Sequence, residues 1–428
     1  MPIMAKTFRE WNPEQSMMFP PVVLDLVEKD ELVHFVRNLV LEQLDLSEIM
    51  GQYQEERGYP PMHPAMMTAL LLYSYCQGIY SSRRIARACK QRVDYMALTG
   101  MQKPDFRTVN LFRQRHLEAL GGLFQQVLRL CQKAGLVKLG HVALDGTRIR
   151  ANASKLKSMS YGQMKKSEQE LATEIQGWFE SAERIDREED EQYGADGRGD
   201  ELPEWVADKQ KRLEKIRQAK AELEAEARER AAAGPDPNKT GHKPKPTGVP
   251  EEKAQRNFTD SESRIMRTAD GFIQGYNAQA AVDANRQIIV AQLVTNNGSD
   301  THQMVPLLNQ IRKNIGRQAR EISADSGYCA ALNLKTLRRR RIRGYVATNN
   351  QKPNNVSRWV QQMRERLSKA GHRSRYYLRG QTVEPVFGHI KSARAFRQFL
   401  LRGIIKVSGE WSLLCTAHNV LKLAAAIG

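Results

Sequence analysis

Long apolar runs and paired cysteines are both missing from this 428-residue sequence. No stretch is long and apolar enough to cross a bilayer, so no membrane partner is expected. The segment from Met1 to Glu10 contains Lys6 and Arg9 but no apolar core, which argues against a secretory signal. The five cysteines include no CxxC pair. This usage fits a reducing, cytoplasmic environment and argues against a disulfide framework or a zinc finger.

Acidic residues are fewer than basic ones, and the imbalance is local. The chain has 66 Lys and Arg against 48 Asp and Glu, a net charge of +18. Residues 163–201 contain thirteen acids and five bases, a net charge of −8. Residues 317–406 contain twenty-one bases and four acids, a net charge of +17. Such a concentrated positive charge predicts a polyanionic partner, and nucleic acid is the natural choice.

The first third of the chain predicts an all-helical domain, because apolar residues recur there at helical spacing. Predicted helices cover 31–49, a segment opened by Pro64, a basic segment after Ser81, and residues 108–120 and 123–133. The basic segment carries Arg83, Arg84 and Arg87. Short basic helices joined by tight turns favour a helix-turn-helix-like, DNA-binding bundle over residues 1–136. A purely structural helical domain is the alternative interpretation.

A charged insertion is predicted at residues 155–255. Residues 163–233 are mostly Glu, Lys, Arg, Gln and Ala, a composition typical of long solvated helices. We expect a helical hairpin there, broken near 194–203. Residues 234–250 contain too much Pro and Gly for regular structure and predict a linker.

Strands are predicted on both sides of this insertion. Val142 to Leu144 form a short apolar run that predicts a buried strand ending at Asp145. After the insertion, residues 275–283 and 287–295 predict an antiparallel hairpin. Helices over 302–315 and 332–341, strands over 321–325 and 344–348, and a helix from Glu384 to about Phe399 follow. This order predicts a mixed α/β domain over residues 137–428.

Three carboxylates stand at informative points of this pattern. Asp145 and Asp325 each end a predicted strand, and Glu384 begins a predicted helix. If the two strands are neighbours, their carboxylates meet at one edge of the sheet, and a helix across that edge adds the third. Such hard oxygen ligands suit Mg²⁺ or Mn²⁺. Two such ions about 4 Å apart can activate water or a 3′-hydroxyl and stabilise the leaving oxygen.

Four other acids are predicted to have structural roles. Asp260, Asp283 and Asp300 lie in loop-like sequence, and turn formation is the favoured role. Glu410 precedes Trp411, and a helix-start position near the positive end of the helix dipole is favoured over a fourth catalytic acid.

The sequence around the three acids resembles that of a known family. Residues Leu144–Ala153, Ser323–Tyr328 and Val383–Lys391 are similar, in this order, to the first-Asp, second-Asp and Glu motifs of DDE transposases from bacterial insertion sequences. Asn257–Ser261 with Gly275–Gln279 resembles the segment that leads into the hairpin of those enzymes. The resemblance extends over nearly the whole chain, including the helical N-terminal region and the final helix.

The resemblance implies a ribonuclease H-like catalytic domain over 137–428, interrupted by the insertion and preceded by the helical domain. Asp145, Asp325 and Glu384 would hold divalent metal, Mg²⁺ or Mn²⁺, with two ions per site. The enzyme would cut double-stranded DNA at transposon ends and join the freed 3′-hydroxyl to target DNA. A homodimer on DNA, at the bacterial nucleoid, is also implied by the resemblance.

Residues around Glu384 are candidates for DNA contact. The resemblance implies this role for Tyr376, Arg379 and Lys391, because related enzymes carry a Tyr-Arg-Glu-Lys signature there. Lys391, Arg394 and Arg397 recur every three residues and predict one basic stripe on the helix. Two alternative functions are a metal-dependent nuclease without strand transfer and a non-catalytic DNA-binding regulator.

Overall fold

The computed structural model describes residues 22–53, 61–193, 204–234, 248–269, 271–348 and 357–427. The α-helices of these segments are α1 (Leu32–Asn38), α2 (Ser47–Met50), α3 (Pro64–Cys76), α4 (Ser82–Gln91), α5 (Val93–Thr99), α6 (Phe106–Arg115), α7 (Leu117–Lys133), α8 (Tyr161–Tyr193), α9 (Glu204–Ala232), α10 (Met304–Ile315), α11 (Ala331–Arg339), α12 (Arg358–Ser368), α13 (Ala370–Thr382), α14 (Glu384–Gly388) and α15 (Ile404–Ile427). The strands are β1 (His141–Arg150), β2 (Ser158–Ser160), β3 (Gln255–Asn257), β4 (Arg264–Thr268), β5 (Gly271–Asp283), β6 (Ile288–Thr295), β7 (Glu321–Ala324) and β8 (Arg343–Val346).

A six-stranded mixed sheet forms the centre of the C-terminal region. Strand β5 pairs with β1 along one edge, and with both β4 and β6 along the other. Strands β1, β7 and β8 continue the sheet in parallel, whereas β5 runs antiparallel to β1. Helices flank this sheet. The mixed α/β class, with the ribonuclease H-like sheet implied by the resemblance, is therefore confirmed.

The predicted hairpin is confirmed as β5 and β6, which pair antiparallel. Every residue of β6 from Ile288 to Ala291 is buried, as expected for a strand covered on both faces. Strand β5 starts earlier than predicted, at Gly271, because its first residues pair with β4 instead of β6. Because of this extra length, β5 can pair with both β4 and β6 along the same edge.

The N-terminal region is helical as predicted, with different boundaries. The single helix expected over 31–49 is divided into α1, a π-helical segment (Leu39–Gln43) and α2, because Leu44 adopts an extended conformation. The break between α6 and α7 lies at His116, not at Gly121–Gly122. His116 is fully buried, and its Nε2 lies 2.9 Å from the Tyr53 hydroxyl, which anchors this turn.

Helix α15 joins the helical region to the sheet. It packs against α7 and α3 on one side and against β6 on another, and most of its residues are buried all round. The indole Nε1 of Trp411 donates to the carbonyl of Gln279 on β5, at 3.1 Å. One continuous hydrophobic core therefore extends from the N-terminal helices into the sheet.

Helices α8 and α9 form the predicted charged hairpin and pack on each other. They share a small apolar core of their own, which includes Met164, Leu171 and Ile216. The short strands β2 and β3 pair at the base of the hairpin. The predicted break near 194–203 and most of the predicted linker lie outside the described residues. In the described part of the chain, no helix combines the length and apolarity that a membrane span needs.

Candidate active site

Asp145 and Asp325 lie side by side because β1 and β7 pair in parallel. The last pair in the register is Leu144 with Ala324, and the two aspartates are the next residues on their strands. Strand β7 ends there because the carboxylate of Asp325 caps the following turn, accepting the Gly327 N–H at 3.0 Å. Strand β1 instead continues to Arg150, paired with β5. The expectation that β1 ends at Asp145 is therefore wrong. What ends at this point is the parallel pairing of β1 with β7, whose last pair is Leu144 with Ala324.

Burial shapes the electrostatics of these two acids. The Asp145 side chain is only 15% exposed. Burial raises the pKa of Asp145 to about 7, while the Arg379 guanidinium opposes this shift and the Asp325 carboxylate adds to it. Burial also raises the pKa of Asp325, and the neighbouring Asp300 contributes in the same direction. Neighbouring carboxylates thus raise the pKa of both acids, a common feature of functional sites, because a cation relieves the repulsion between them.

Arg379 brings the third acid to the same place. It lies near the end of α13, and Glu384 begins α14 five residues later. The guanidinium donates through Nη1 to Asp145 Oδ2 at 2.6 Å and through Nη2 to Glu384 Oε1 at 2.9 Å. Glu384 is the most accessible of the three acids, with 54% of its side chain exposed. Strand pairing thus places Asp145 beside Asp325, and the hydrogen bonds of Arg379 connect Asp145 to Glu384.

Two family models match the chain. A model described as a transposase DDE domain matches residues 242–420, and a second, described as a transposase domain (DUF772), matches residues 21–115. Both matches are to transposase domains, and residues 242–420 carry the DDE domain typical of bacterial insertion-sequence transposases. The DDE match contains Asp325 and Glu384, whereas Asp145 lies between the two matched segments. No curated protein and no solved structure matches this transposase.

DDE transposases generally use divalent metal ions, which raises the question of whether the residues of this site could bind one. Among the described residues, no three Asp, Glu, His or Cys side chains converge closely enough to hold a metal, and Arg379 neutralises Asp145 and Glu384 instead. The chemistry of the set nevertheless fits, since all three acids offer hard oxygen donors. Gly327 also leaves space beside Asp325, because a Cβ there would lie 3.1 Å from Asp325 Oδ1.

The predicted basic stripe on the Glu384 helix is not formed as a stripe. Helix α14 ends at Gly388 and passes into a π-helical segment over His389–Ala393, so the helix predicted to reach Phe399 is shorter. Lys391 is half-buried and close enough to Asp145 for their charges to interact. Arg397 is exposed. Arg394 is only 5% exposed, so its predicted place on a solvent-facing stripe is wrong. The π-helical turn changes the spacing and directs Arg394 inward, next to Tyr80.

The remaining candidates for DNA contact lie on two helices. Tyr376 is half-buried on α13, one turn before Arg379. Arg83, Arg84 and Arg87 are exposed on α4, which packs against α5 and α6. The Arg83 guanidinium lies over the Phe106 ring, 5.2 Å from its centre. These three arginines form an exposed basic surface of the N-terminal helices.

Asp300 lies close enough to Asp145 and Asp325 for its charge to raise the pKa of both, although its sequence context favours turn formation. Its carboxylate accepts hydrogen bonds from the Asn277 and Gln279 side-chain amides, at 2.7 and 2.6 Å. Both amides are fully buried on β5. The sequence did contain a signal: two amides at positions i and i+2 project from the same face of a strand predicted to be buried. Buried amides need partners, which points to a polar network on that face.

Three other acids have structural roles. Asp283 ends β5 and accepts the N–H of Leu139 and Asn285, so its predicted turn-forming role fits its contacts. Asp260 is buried and accepts the Tyr276 hydroxyl at 2.7 Å. Glu410 lies inside α15 and is completely buried, not at a helix start. Its carboxylate accepts the backbone N–H of Leu400 and Leu401 and thereby fixes the segment before α15.

Proposed function

We propose that this transposase cleaves DNA at the ends of its transposon and joins the freed 3′-hydroxyl to target DNA, with Asp145, Asp325 and Glu384 as catalytic residues. The observation that carries the proposal is the parallel register that sets Asp145 beside Asp325, with Arg379 connecting Glu384 to the same place. The three carboxylates would hold Mg²⁺ or Mn²⁺, two ions per site. Bound ions would polarise the phosphate and favour the ionised form of the attacking hydroxyl.

We propose that Arg379 exchanges its carboxylate partner Glu384 for a DNA phosphate when DNA binds. A guanidinium forms paired hydrogen bonds with phosphate as well as with carboxylate. A DNA phosphate that reaches the exposed side of the site therefore competes with Glu384 for Arg379. We propose that this exchange releases Glu384 to act as a ligand. Lys391, whose charge already interacts with that of Asp145, would then bind a phosphate next to the reacting one.

The rest of the chain would hold the DNA. We propose that the helical region, residues 1–136, binds the transposon end through Arg83, Arg84 and Arg87, and that residues 137–428 form the catalytic domain with 155–255 as its insertion. The +17 charge of residues 317–406 would attract the flanking duplex. Two protomers are proposed, because two transposon ends have to be processed together. Chromosomal DNA as substrate would place this reaction at the bacterial nucleoid, in the cytoplasm.

Cleavage and strand-transfer assays test this function. Full-length transposase is incubated with Mg²⁺ or Mn²⁺ and labelled DNA from the flanks of its own gene, together with a target plasmid. Asp145→Asn, Asp325→Asn and Glu384→Gln should each abolish both cleavage and joining while leaving DNA binding intact. Glu365→Gln is the matched control, since Glu365 is an exposed acid in the same basic region, and it should behave as wild type.

The same assay separates the other functions. Cleavage without joining of the 3′ end would show a metal-dependent nuclease. Tight DNA binding without any metal-dependent cleavage would show a regulator. Activity retained by Asp145→Asn would reject the proposed catalytic site, whatever the reaction.

A further inference from the structure

Asp300 is a buried carboxylate with weak charge compensation. It lies between β6 and α10 and is 5% exposed. Its Oδ1 accepts both amide hydrogen bonds, from Asn277 and Gln279. Its Oδ2 faces the Nη2 of Arg148 at 3.4 Å, a long distance for an ion pair. Buried carboxylates are rare unless they are well paired, so the retention of this charge needs an explanation.

The carboxylate of Asp300 is packed between the two segments that carry Asp145 and Asp325. A Cβ at Gly146, the residue after Asp145, would lie 2.7 Å from Asp300 Oδ1 and 2.1 Å from Gln279 Nε2. A Cβ at Gly327, two residues after Asp325, would lie 3.1 Å from Asp300 Oδ2. A glycine one or two residues after each aspartate therefore makes room for the same third carboxylate.

Hydrogen bonds fix Asp300 relative to Asp325. The Thr301 hydroxyl donates to the carbonyl of Gly327 at 3.1 Å. The Asn333 side-chain amide donates to the carbonyls of both Thr301 and Tyr328, at 2.7 and 2.9 Å. The loop that carries Asp300 and the turn that carries Asp325 are thus held together as one unit.

From this packing we propose that Asp300 is a positioning residue, whose fixed negative charge strengthens divalent-cation binding by Asp145 and Asp325 without being a ligand itself. The inference depends on the proposed function, since it takes these two acids as the cation ligands. A charge held nearby in a buried site acts through weak screening. Residues that support metal ligands typically change metal affinity or activity by about 10–100-fold.

Calorimetric titration of metal-stripped, full-length transposase with Mn²⁺ tests the inference. Asp300→Asn keeps the side-chain shape and the Oδ1 acceptor but removes the charge. We expect its Mn²⁺ dissociation constant to rise about tenfold, and its DNA cleavage to recover when Mn²⁺ is raised. Asp283→Asn is the matched control, because Asp283 is a buried acid at the end of β5 whose carboxylate binds backbone N–H groups. It should lower the melting temperature but leave Mn²⁺ affinity unchanged.

A second variant has the opposite expected sign. Arg148→Gln removes the positive charge that faces Asp300 Oδ2, so Mn²⁺ should bind about threefold more tightly. If Asp300→Asn does not fold, this arm decides: an unchanged dissociation constant for Arg148→Gln overturns the inference. An Asp300→Asn protein that folds and binds Mn²⁺ as wild type does also overturns it.

The two proposals fail in different ways. Wild-type protein that binds Mn²⁺ but neither cuts nor joins DNA would reject the proposed function. The ratio of the Mn²⁺ dissociation constants of Asp300→Asn and wild type would still test the role of Asp300. Wild-type protein that binds no Mn²⁺ in the calorimeter would overturn the role of Asp300 itself.

Discussion

Asp145 makes the folded chain sensitive to pH in the absence of metal. Its pKa in the folded protein is raised by burial to about 7, whereas an aspartate in an unfolded chain titrates near about 3.9. Between these values the folded state binds more protons than the unfolded state, so the free energy of unfolding falls as pH rises from about 4 to about 7. Below this window the carboxyl is neutral in both states. Above it, the full cost of the buried charge is present.

We therefore predict that Asp145→Asn stabilises the metal-free transposase at alkaline pH. The amide keeps the shape of the side chain but carries no charge to bury. The free energy of unfolding should rise by about 1–3 kcal/mol near pH 8, and should change little near pH 4.5. Urea unfolding in EDTA at the two pH values measures both. Glu365→Gln, an exposed change, should have no effect at either pH. Lower stability of Asp145→Asn near pH 8 would contradict this account.

At the scale of elements, the sequence predicted helices and strands well and their ends less well. The apolar periodicity was sufficient for α10, α11 and the β5–β6 hairpin. The predicted boundary between the helices over 108–120 and 123–133 falls at Gly121 and Gly122, but both lie inside α7. Gly121 lies against α15, where its carbonyl accepts the Ser412 hydroxyl at 3.0 Å. The local sequence around Gly121 cannot predict its close packing against a helix that is distant in the chain.

Strand β1 shows the same limit. Its predicted end at Asp145 followed from the local sequence, in which an acid and a glycine succeed an apolar run. The strand continues because β5 pairs with it as far as Arg150 and Gly275. Gly275 is needed for this pairing, since a Cβ there would lie 2.4 Å from the carbonyl oxygen of Ile149. Partner strands, not the strand's own sequence, determine where pairing ends.

The charged hairpin is attached to the sheet through one ionic cluster that can be tested. Arg256 on β3 is 3% exposed and pairs with Glu226 of α9 at 2.9 Å, and Arg264 on β4 pairs with the same carboxylate at 2.6 Å. We predict that Glu226→Gln loosens the end of α9, because the buried guanidinium of Arg256 and the half-buried one of Arg264 lose their shared anion. The free energy of local opening should fall by about 1–3 kcal/mol, measured as faster amide hydrogen exchange in α9 and β3.

The control for this prediction is Glu229→Gln. Glu229 is exposed on the same helix, so its replacement should leave the exchange rates of α9 unchanged. Equal protection in Glu226→Gln and wild type would mean that the apolar contacts between α8 and α9, not the ion pairs, hold the hairpin in place.

At the scale of the whole molecule, the part that sequence could not supply is the connection between distant segments. The motif order predicted Asp145, Asp325 and Glu384 as one set, but not that Arg379 bridges two of them. Likewise, the loop-like sequence around Asp300 predicts only a turn. Its burial depends on amides of β5 and on glycines of two other segments, which local sequence does not show. Side chains that meet only in the folded state leave no local pattern for their pairing.

The distribution of charge over the molecule gives the last prediction. Each Lys or Arg that neutralises a DNA phosphate releases counterions, so the logarithm of the binding constant falls with the logarithm of the salt concentration, by about 0.9 per contact. If Arg83, Arg84 and Arg87 each bind a phosphate, their combined replacement by Gln should reduce this slope by about 2.7. Fluorescence anisotropy with duplex DNA at several salt concentrations measures it.

A matched replacement distinguishes specific contacts from net charge. Arg212, Arg217 and Arg228 are exposed on α9, a helix rich in acidic residues, and changing them to Gln alters the net charge by the same amount. The slope should then stay at its wild-type value, because counterion release depends on contacts and not on the total charge of the protein. Equal slopes for the two triple variants would mean that the α4 surface does not touch DNA, and that the basic C-terminal residues carry the binding alone.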